Sequence, residues 1–387
     1  MKHLATVFGI LAVLVSQVVS AEPATLDKAL IKEANAGIKR GVEFLVSKQM
    51  PNGAWIGHPA ITALACMAIM EGPEGNSPKF QQVVDRGLDF VVSQAHDDGS
   101  IWNKETEKYP NYSTSISLIA LALRNRSKDK DLIRKARDFL LGSQFSDIPK
   151  SNPSYGGIGY GKRLRPDLSN TQWALEALYV TDHFDREPHS NDPEKAKKAD
   201  LAWDRAIEFL SSCQNLAETN DAKWVLSDPD NKGGFIYLPN PAESKAGEHI
   251  SEGKRGLRSY GSMTYAGLKS MIYAKLDRDD PRVKAAIGWV QRHYTFEENP
   301  GVGLQGLYYY LHTMAKALAA FDQDVITDEQ GKKHNWREEL VRHMLQLQKP
   351  EGQWANENAR WFESMPELVT PYALLTIEVA CGDALSK

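Results

Sequence analysis

Cysteine is scarce in this sequence: Cys66, Cys213 and Cys381 are the only three in 387 residues. They lie far apart, and two sit inside apolar helical patterns. That excludes a disulfide framework and gives no zinc-ligand spacing, so no metal is expected. Buried free thiols are the first reading, and one disulfide with one thiol left over is the alternative. An excess of one charge is lacking too. The formal net charge of −4 argues against a nucleic-acid partner held by bulk electrostatics. After residue 19 no apolar run is long enough to span a membrane. Gly-x-Ser-x-Gly, His-Glu-x-x-His, P-loop and dinucleotide fingerprints are all absent, and no cofactor is expected.

The N-terminus departs from the rest. Met1-Lys2-His3 precedes an apolar run from Leu4 to Val19, and Val19-Ser20-Ala21 supplies small residues before Glu22. This reads as a signal peptide over residues 1–21, cut after Ala21, with a single domain over 22–387 and a secreted or periplasmic location. An uncleaved anchor is the alternative, and the shortness of the run argues against it. A lipoprotein would need a cysteine near the cut, and none is there.

What the chain does contain is a repeat. Arg40-Gly41-x-x-Phe44-Leu45-Val46-x-x-Gln49 returns as Arg86-Gly87-x-x-Phe90-Val91-Val92, Lys135-Ala136-x-x-Phe139-Leu140-Leu141 and Arg205-Ala206-x-x-Phe209-Leu210. Weaker copies run from Lys284 to Val290 and before Gln348. These six helices are amphipathic. Between them lie six others, such as "AITALACMAIM" and "STSISLIALAL", that are apolar nearly all round and so need cover on both faces. The alternation predicts an all-α fold: an α6/α6 toroid, twelve helices in a double ring. Ser77-Pro78, Asp192-Pro193 and Asp280-Pro281 read as starts of outer helices, and Thr370-Pro371 as the start of an inner one. Ser169 with Gln172 reads as a capping box at another inner helix.

The first repeat ends on Gln49, Gly53 and Trp55, and the same spacing recurs at Gln348, Gly352 and Trp354. The glutamine can bond free backbone groups of the neighbouring turn, the glycine permits a left-handed turn, and the tryptophan packs between repeats. These six residues are read as structural. The pattern resembles the QW motif of the squalene–hopene and oxidosqualene cyclases and, more distantly, the protein prenyltransferase β subunits. Residues 40–55 match it in full, and 342–354 mainly in the second half. The resemblance implies the toroid of the terpenoid cyclase/protein prenyltransferase type; fold alone does not carry a reaction. Two departures stand out. The cyclases are far longer, two-domain proteins. Their protonating Asp-x-Asp-Asp is matched by letter at Asp277–Asp280, but there Asp280-Pro281 reads as a helix cap. The Asp, Cys and His that hold zinc in the prenyltransferases cannot be assembled, and the Cys-Gly-Glu-Gln thioester of a related toroid is absent.

Long loops follow the outer helices and so crowd the end at which the inner helices begin, the place where a site is expected. They bring glycine, tyrosine and tryptophan together. Tyr112, Tyr155, Tyr160, Tyr237, Tyr260, Tyr265, Tyr309 and Trp361 are the candidate pocket aromatics, or else plug the ring's end. Of Tyr308, Tyr309 and Tyr310, at most two can face inward. Arg165, Asp167 and Asn170 share one inner-helix start, Arg258 and Tyr260 another, and His58 a third. Asp167 is the candidate general acid; a helix cap or a pair with Arg165 is the alternative. Glu176 and Lys269 fall within inner helices, where buried charges need partners.

The leading reading is a cyclase or isomerase on an apolar isoprenoid, with Asp167 as proton donor. The alternatives are a polysaccharide lyase or glycosidase, and a non-catalytic ring that binds a small-molecule or lipid ligand. A dry pocket with one free acid favours the first, a wet groove with two carboxylates the second, and no free acid the third.

Overall fold

The computed structural model describes residues 26–105, 108–162, 164–186, 188–251 and 253–385. The proposed signal peptide lies outside them. The described residues form twelve α-helices with a few short strands and 3-10 turns. Six are the amphipathic repeats: α1 (Lys28–Lys48), α3 (Pro78–Ser93), α5 (Lys130–Leu141), α7 (Pro193–Ser212), α9 (Pro281–Arg292) and α11 (Trp336–Leu347). Six are the apolar ones: α2 (Pro59–Glu71), α4 (Pro110–Arg124), α6 (Leu168–Val180), α8 (Gly261–Tyr273), α10 (Leu307–Phe321) and α12 (Pro366–Cys381). The apolar helices pack in order, α2 on α4 and so round to α12, and α12 returns to α2. That closed inner ring is sheathed by the amphipathic helices, and the hydrophobic core fills the space between. No described helix is long and apolar enough to cross a membrane.

The helix starts follow from short polar side chains. Ser77, Asp192 and Asp280 each accept a backbone N–H of the helix they precede, ahead of proline at its first position. Asp280 also grips Arg282, so the Asp277–Asp280 stretch is a cap. Two expected inner starts are corrected. α12 begins at Pro366, and Pro371 lies inside it; Thr370 serves another contact, described below. α6 is capped by Asp167, one residue before the helix, while Ser169 lies within its first turn. All three cysteines are free and buried.

One turn is built again and again where an outer helix gives way to the next inner one. Gln49 donates to the carbonyls of Gly53, in its own turn, and Val83, on the next outer helix. Gln144 does the same to Gly156 and Ala202, Gln214 to Gly233 and Arg282, and Gln348 to Gly352 and Gly37. The basic residue that opens the repeat answers from the other side: Arg86 donates to Gln49 Oε1, and Arg40 to Gln348 Oε1. Gly53 has φ +87°, and a Cβ there would lie 2.3 Å from the Arg86 carbonyl oxygen, so no other residue fits. Trp55 fills the gap beside Gly87 and donates its indole N–H to Leu45 O at 2.8 Å. Trp354 donates likewise to Met344 O.

A threonine completes the unit. The backbone N–H groups of Trp55, Ile101, Ile158, Phe235 and Trp354 donate to Thr62, Thr114, Thr171, Thr264 and Thr370, each in the first turns of the following inner helix. The α9–α10 connection is built differently, around Asn299.

Trp55 and Trp354 have no exposed surface. Trp55→Ala and Trp354→Ala should each lower stability by ~3–5 kcal/mol, the range for loss of a buried large aromatic. Chemical denaturation followed by circular dichroism measures it; a loss under about 1 kcal/mol would mean that the indoles do not fasten the ring.

Candidate functional site

The six outer-to-inner connections all emerge on the face where the inner helices start. Below that face, side chains from inner helices that are not neighbours meet in the lumen. Ser169 Oγ lies 3.2 Å from Tyr309 Oη, and Gln172 Nε2 donates to the same hydroxyl at 3.0 Å. The rings of Trp173 and His312 stack at 5.9 Å, and Lys316 Nζ is 2.8 Å from Glu176. All four contacts join α6 to α10, which are not neighbours in the ring. Tyr112 on α4 hydrogen-bonds Tyr372 on α12, past the intervening α2, and accepts the Trp173 indole N–H at 3.0 Å.

These contacts close the lumen from above downward. Tyr112, Ser169 and Tyr309, in the first turns, keep some exposure. Gln172, Trp173, His312 and Tyr372 beneath them have 4 % or less. The next group down is ionic: Glu176 pairs with both Lys269 and Lys316, Lys269 also lies over the Trp173 ring, and the Lys316 side chain keeps 27 % exposure. The site is therefore a shallow cup with an aromatic floor over a polar plug.

Electrostatics follow from burial. Burial raises the Asp167 carboxyl to about 6, against hydrogen bonds from the Asn170 backbone, the Asn170 amide and Tyr237. Burial alone would raise Glu176, but the ammonium groups of Lys269 and Lys316 outweigh it and hold the carboxylate well below its usual range. His312 is lowered to about 3 by burial and by Lys316, and His58 to about 4 by burial, so both imidazoles are neutral at ordinary pH. Glu363 reaches in from the loop before α12 and accepts the Tyr308 and Tyr309 N–H groups at 3.2 and 2.8 Å. It caps α10, whose own preceding residue is Gly306. Burial raises its carboxyl despite those donors and the Asn356 amide.

Of the sequence candidates, Asp167, Asn170, Tyr160, Tyr237, Tyr260, Tyr112 and Tyr309 gather at the cup. The Tyr160 and Tyr237 hydroxyls are 3.0 Å apart. Tyr260 precedes α8 and is buried. Trp361 packs on Gly306 with a left-handed backbone, φ +56°. His58 holds the position before α2. Four residues fall elsewhere. Tyr265 pairs with Tyr310, whose hydroxyl bonds Thr295 O on the outer side, so it does not line the cup. Tyr155 lies in the turn that rests on α7 through Pro153 and Ser212. Arg165 pairs with Glu243 rather than with Asp167, and Arg258 is fixed through its backbone to Gly247.

Sequence reasoning missed Trp173, His312, Lys316, Tyr372 and Glu363. A signal existed for most of them. Ser169, Gln172, Trp173 and Glu176, and likewise Tyr309, His312 and Lys316, are polar or aromatic positions at three- and four-residue spacing within otherwise apolar helices.

No protein-family model matches the chain, and no curated protein matches its sequence. Solved structures do match in fold. A variant of the type II terpene cyclase MstE from Scytonema, in complex with geranylgeranyl dihydroxybenzoate, superposes with a TM-score of 0.52 at 12% identity, covering 91% of this chain and 99% of that one. A possible GH105 family member from Klebsiella pneumoniae gives 0.52 at 10% identity over 97% and 98%. One from Salmonella enterica gives 0.51 at 8% over 96% and 98%. At these identities the likeness is one of fold: the chain is an α/α toroid, similar in architecture both to a terpene cyclase and to GH105 proteins.

Proposed function

We propose that this chain is an exported ring protein that binds an apolar or amphiphilic small molecule, of the lipid or isoprenoid kind, at its cup, and that it binds without turning over. The leader sequence is the basis for export. The observation that carries the binding role is the closure of the lumen. Three levels of contact between α6 and α10, at Tyr309, His312 and Lys316, occupy lumen space that an enclosed substrate would need. The buried carboxylates around the cup support the same reading. Asp167 caps α6, Glu363 caps α10, and Glu176 is ion-paired, so none is held ready to protonate a ligand.

The rim favours an apolar partner over a glycan. Each of the six loops exposes a large apolar side chain: Ile56, Tyr109, Leu164, Ile250, Leu304 and Phe362. Phe362, 69 % exposed, also has a left-handed backbone, φ +66°. Strain of that kind persists only where surrounding structure enforces it. The terpene cyclase that shares the fold holds a geranylgeranyl-bearing substrate. This ring would take such a tail at its mouth.

Native mass spectrometry of the mature protein from its own host, followed by denaturation, tests this directly. A lipid or isoprenoid at one copy per chain is expected; a protein that arrives empty and shifts only with oligosaccharides would overturn the reading. With the ligand identified, Phe362→Ser together with Leu304→Ser should weaken binding by at least about tenfold, since each removes an exposed apolar side chain that the ligand would cover.

A second prediction concerns Asp167. Its carboxyl titrates at about 6 in the folded protein against 3.8 ordinarily. The folded state therefore holds the extra proton between these values, and this group's contribution to stability falls as pH rises from 4 to 6. His58 and His312, lowered on folding, act in the opposite sense, losing stability as pH falls below 6.5. Asp167→Asn keeps an acceptor for the Asn170 N–H. The difference in unfolding free energy between wild type and variant, measured by urea titration across pH 4 to 6.5, isolates the carboxyl. It should shift in the variant's favour with rising pH; a flat difference would show that Asp167 is not raised.

A further inference from the structure

The longest of the cup-side connections joins α7 to α8 and carries a hairpin, β1 (Glu248–Ser251) paired antiparallel with β2 (Lys254–Leu257). We propose that Asp228, Asp230 and His249 in this connection form a site for one divalent transition-metal ion, of the zinc or manganese type, that ties the hairpin to the loop in front of α8. One ligand atom from each of the three lies within 4.8 Å of the others, near enough for small side-chain adjustments to bring them into one coordination sphere. The residues are too far apart in sequence to form a spacing motif, so the site is visible only in the fold.

A second observation points to the ion. Asp228 Oδ1 accepts the Asn231 amide at 2.8 Å, but Oδ2 is buried and has no hydrogen-bond partner among the described residues. A buried carboxylate oxygen without a donor is costly. A cation between Oδ2, Asp230 and the imidazole removes that cost. Arg292 directs Nε and Nη2 to the carbonyls of Pro229 and Lys232, and its charge also acts on Asp230, so the ion would bind beside a guanidinium that makes no hydrogen bond to Asp228 Oδ2.

Two separately anchored elements converge here. The 228–232 loop is pinned by Trp289 Nε1 on the Asp230 carbonyl and by Arg292 on Pro229. The hairpin is pinned through the Leu257 N–H on Trp224 O, and His249 sits opposite Gly256 in its ladder. The three side chains would be the cross-link between them. Two carboxylates and one imidazole give the set a charge of −2, matched to a divalent ion. The nitrogen favours zinc or manganese over calcium or magnesium, which prefer oxygen alone. The half-buried setting leaves room for water to complete the sphere. This site is independent of the cup's ligand.

The test uses untagged mature protein, stripped with a chelator and titrated calorimetrically with zinc alone and with manganese alone. One ion per chain is expected, with a higher Tm and slower proteolysis across residues 244–258. His249→Ala, on an exposed hairpin that should fold normally by circular dichroism, and Asp228→Asn should each weaken binding by at least about tenfold. Absence of saturable binding of either ion would overturn the proposal. So would His249→Ala binding as tightly as wild type, or calcium binding that ignores His249.

Discussion

A glutamine amide carries two N–H donors, and in this ring four glutamines spend one on their own turn and one on the next outer helix. Gln348 does so across 311 residues, reaching Gly37 at the other end of the chain. That bond fastens the last outer helix to the first. The loop-closure entropy of joining such distant segments grows only slowly with length, so several modest bonds plus tryptophan burial can hold the seam. The other parts of the unit exist to let this happen. Glycine brings the turn against the next helix backbone, the opening arginine satisfies the amide oxygen of Gln49 and of Gln348, and threonine takes the N–H that the turn would otherwise leave buried.

Closing the ring sets the character of its interior. Inner helices are covered outside by the amphipathic layer and inside by each other, which is why they are apolar nearly all round. A charge placed on their inner face has no water to reach. Glu176 is the case in point: it is fully buried, and two lysines from α8 and α10 converge on it. Removing one partner from such a group typically costs more than the group contributes when paired. The cluster therefore acts as a fixed plug under the cup.

The fold was legible because periodicity is a local property. Charged-outside and apolar-throughout helices alternate, and each outer start has its own cap. The errors arose where local rules compete. At Thr370-Pro371 the hydroxyl was claimed by the Trp354 N–H, and the helix had already begun five residues earlier. At Ser169 the hydroxyl turned inward to Tyr309, because Asp167 already held the cap. The site was legible only as a list of aromatics. Which of them face the axis depends on contacts such as Trp173 with His312, between helices with another helix between them, and nothing local encodes that pairing. Tyr265 shows the converse: its place in an aromatic loop-to-helix run suggested the cup, but its turn of α8 faces Tyr310 and the outer layer.

Asp167 is the residue on which a catalytic and a binding ring would differ most. Burial raises its carboxyl, and its contacts bear on the role that we propose. Both oxygens are engaged by Asn170, and its further partner is the Tyr237 hydroxyl. Tyr237 bonds Tyr160, and the Tyr160 ring packs on Tyr109, which stands 48 % exposed on the rim. The hydrogen-bonded chain from Asp167 runs through Tyr237 and ends at the Tyr160 hydroxyl, since Tyr160 meets Tyr109 only ring against ring. Under the binding role that we propose, the floor of the cup would be reached through Ser169, Gln172 and Tyr309, hydroxyl and amide groups able to orient a ligand's polar end without giving up a proton near neutral pH. An acid built to generate a carbocation must hold its proton against the ligand and away from water. Asp167 is instead hydrogen-bonded as a helix cap, which supports the binding role that we propose.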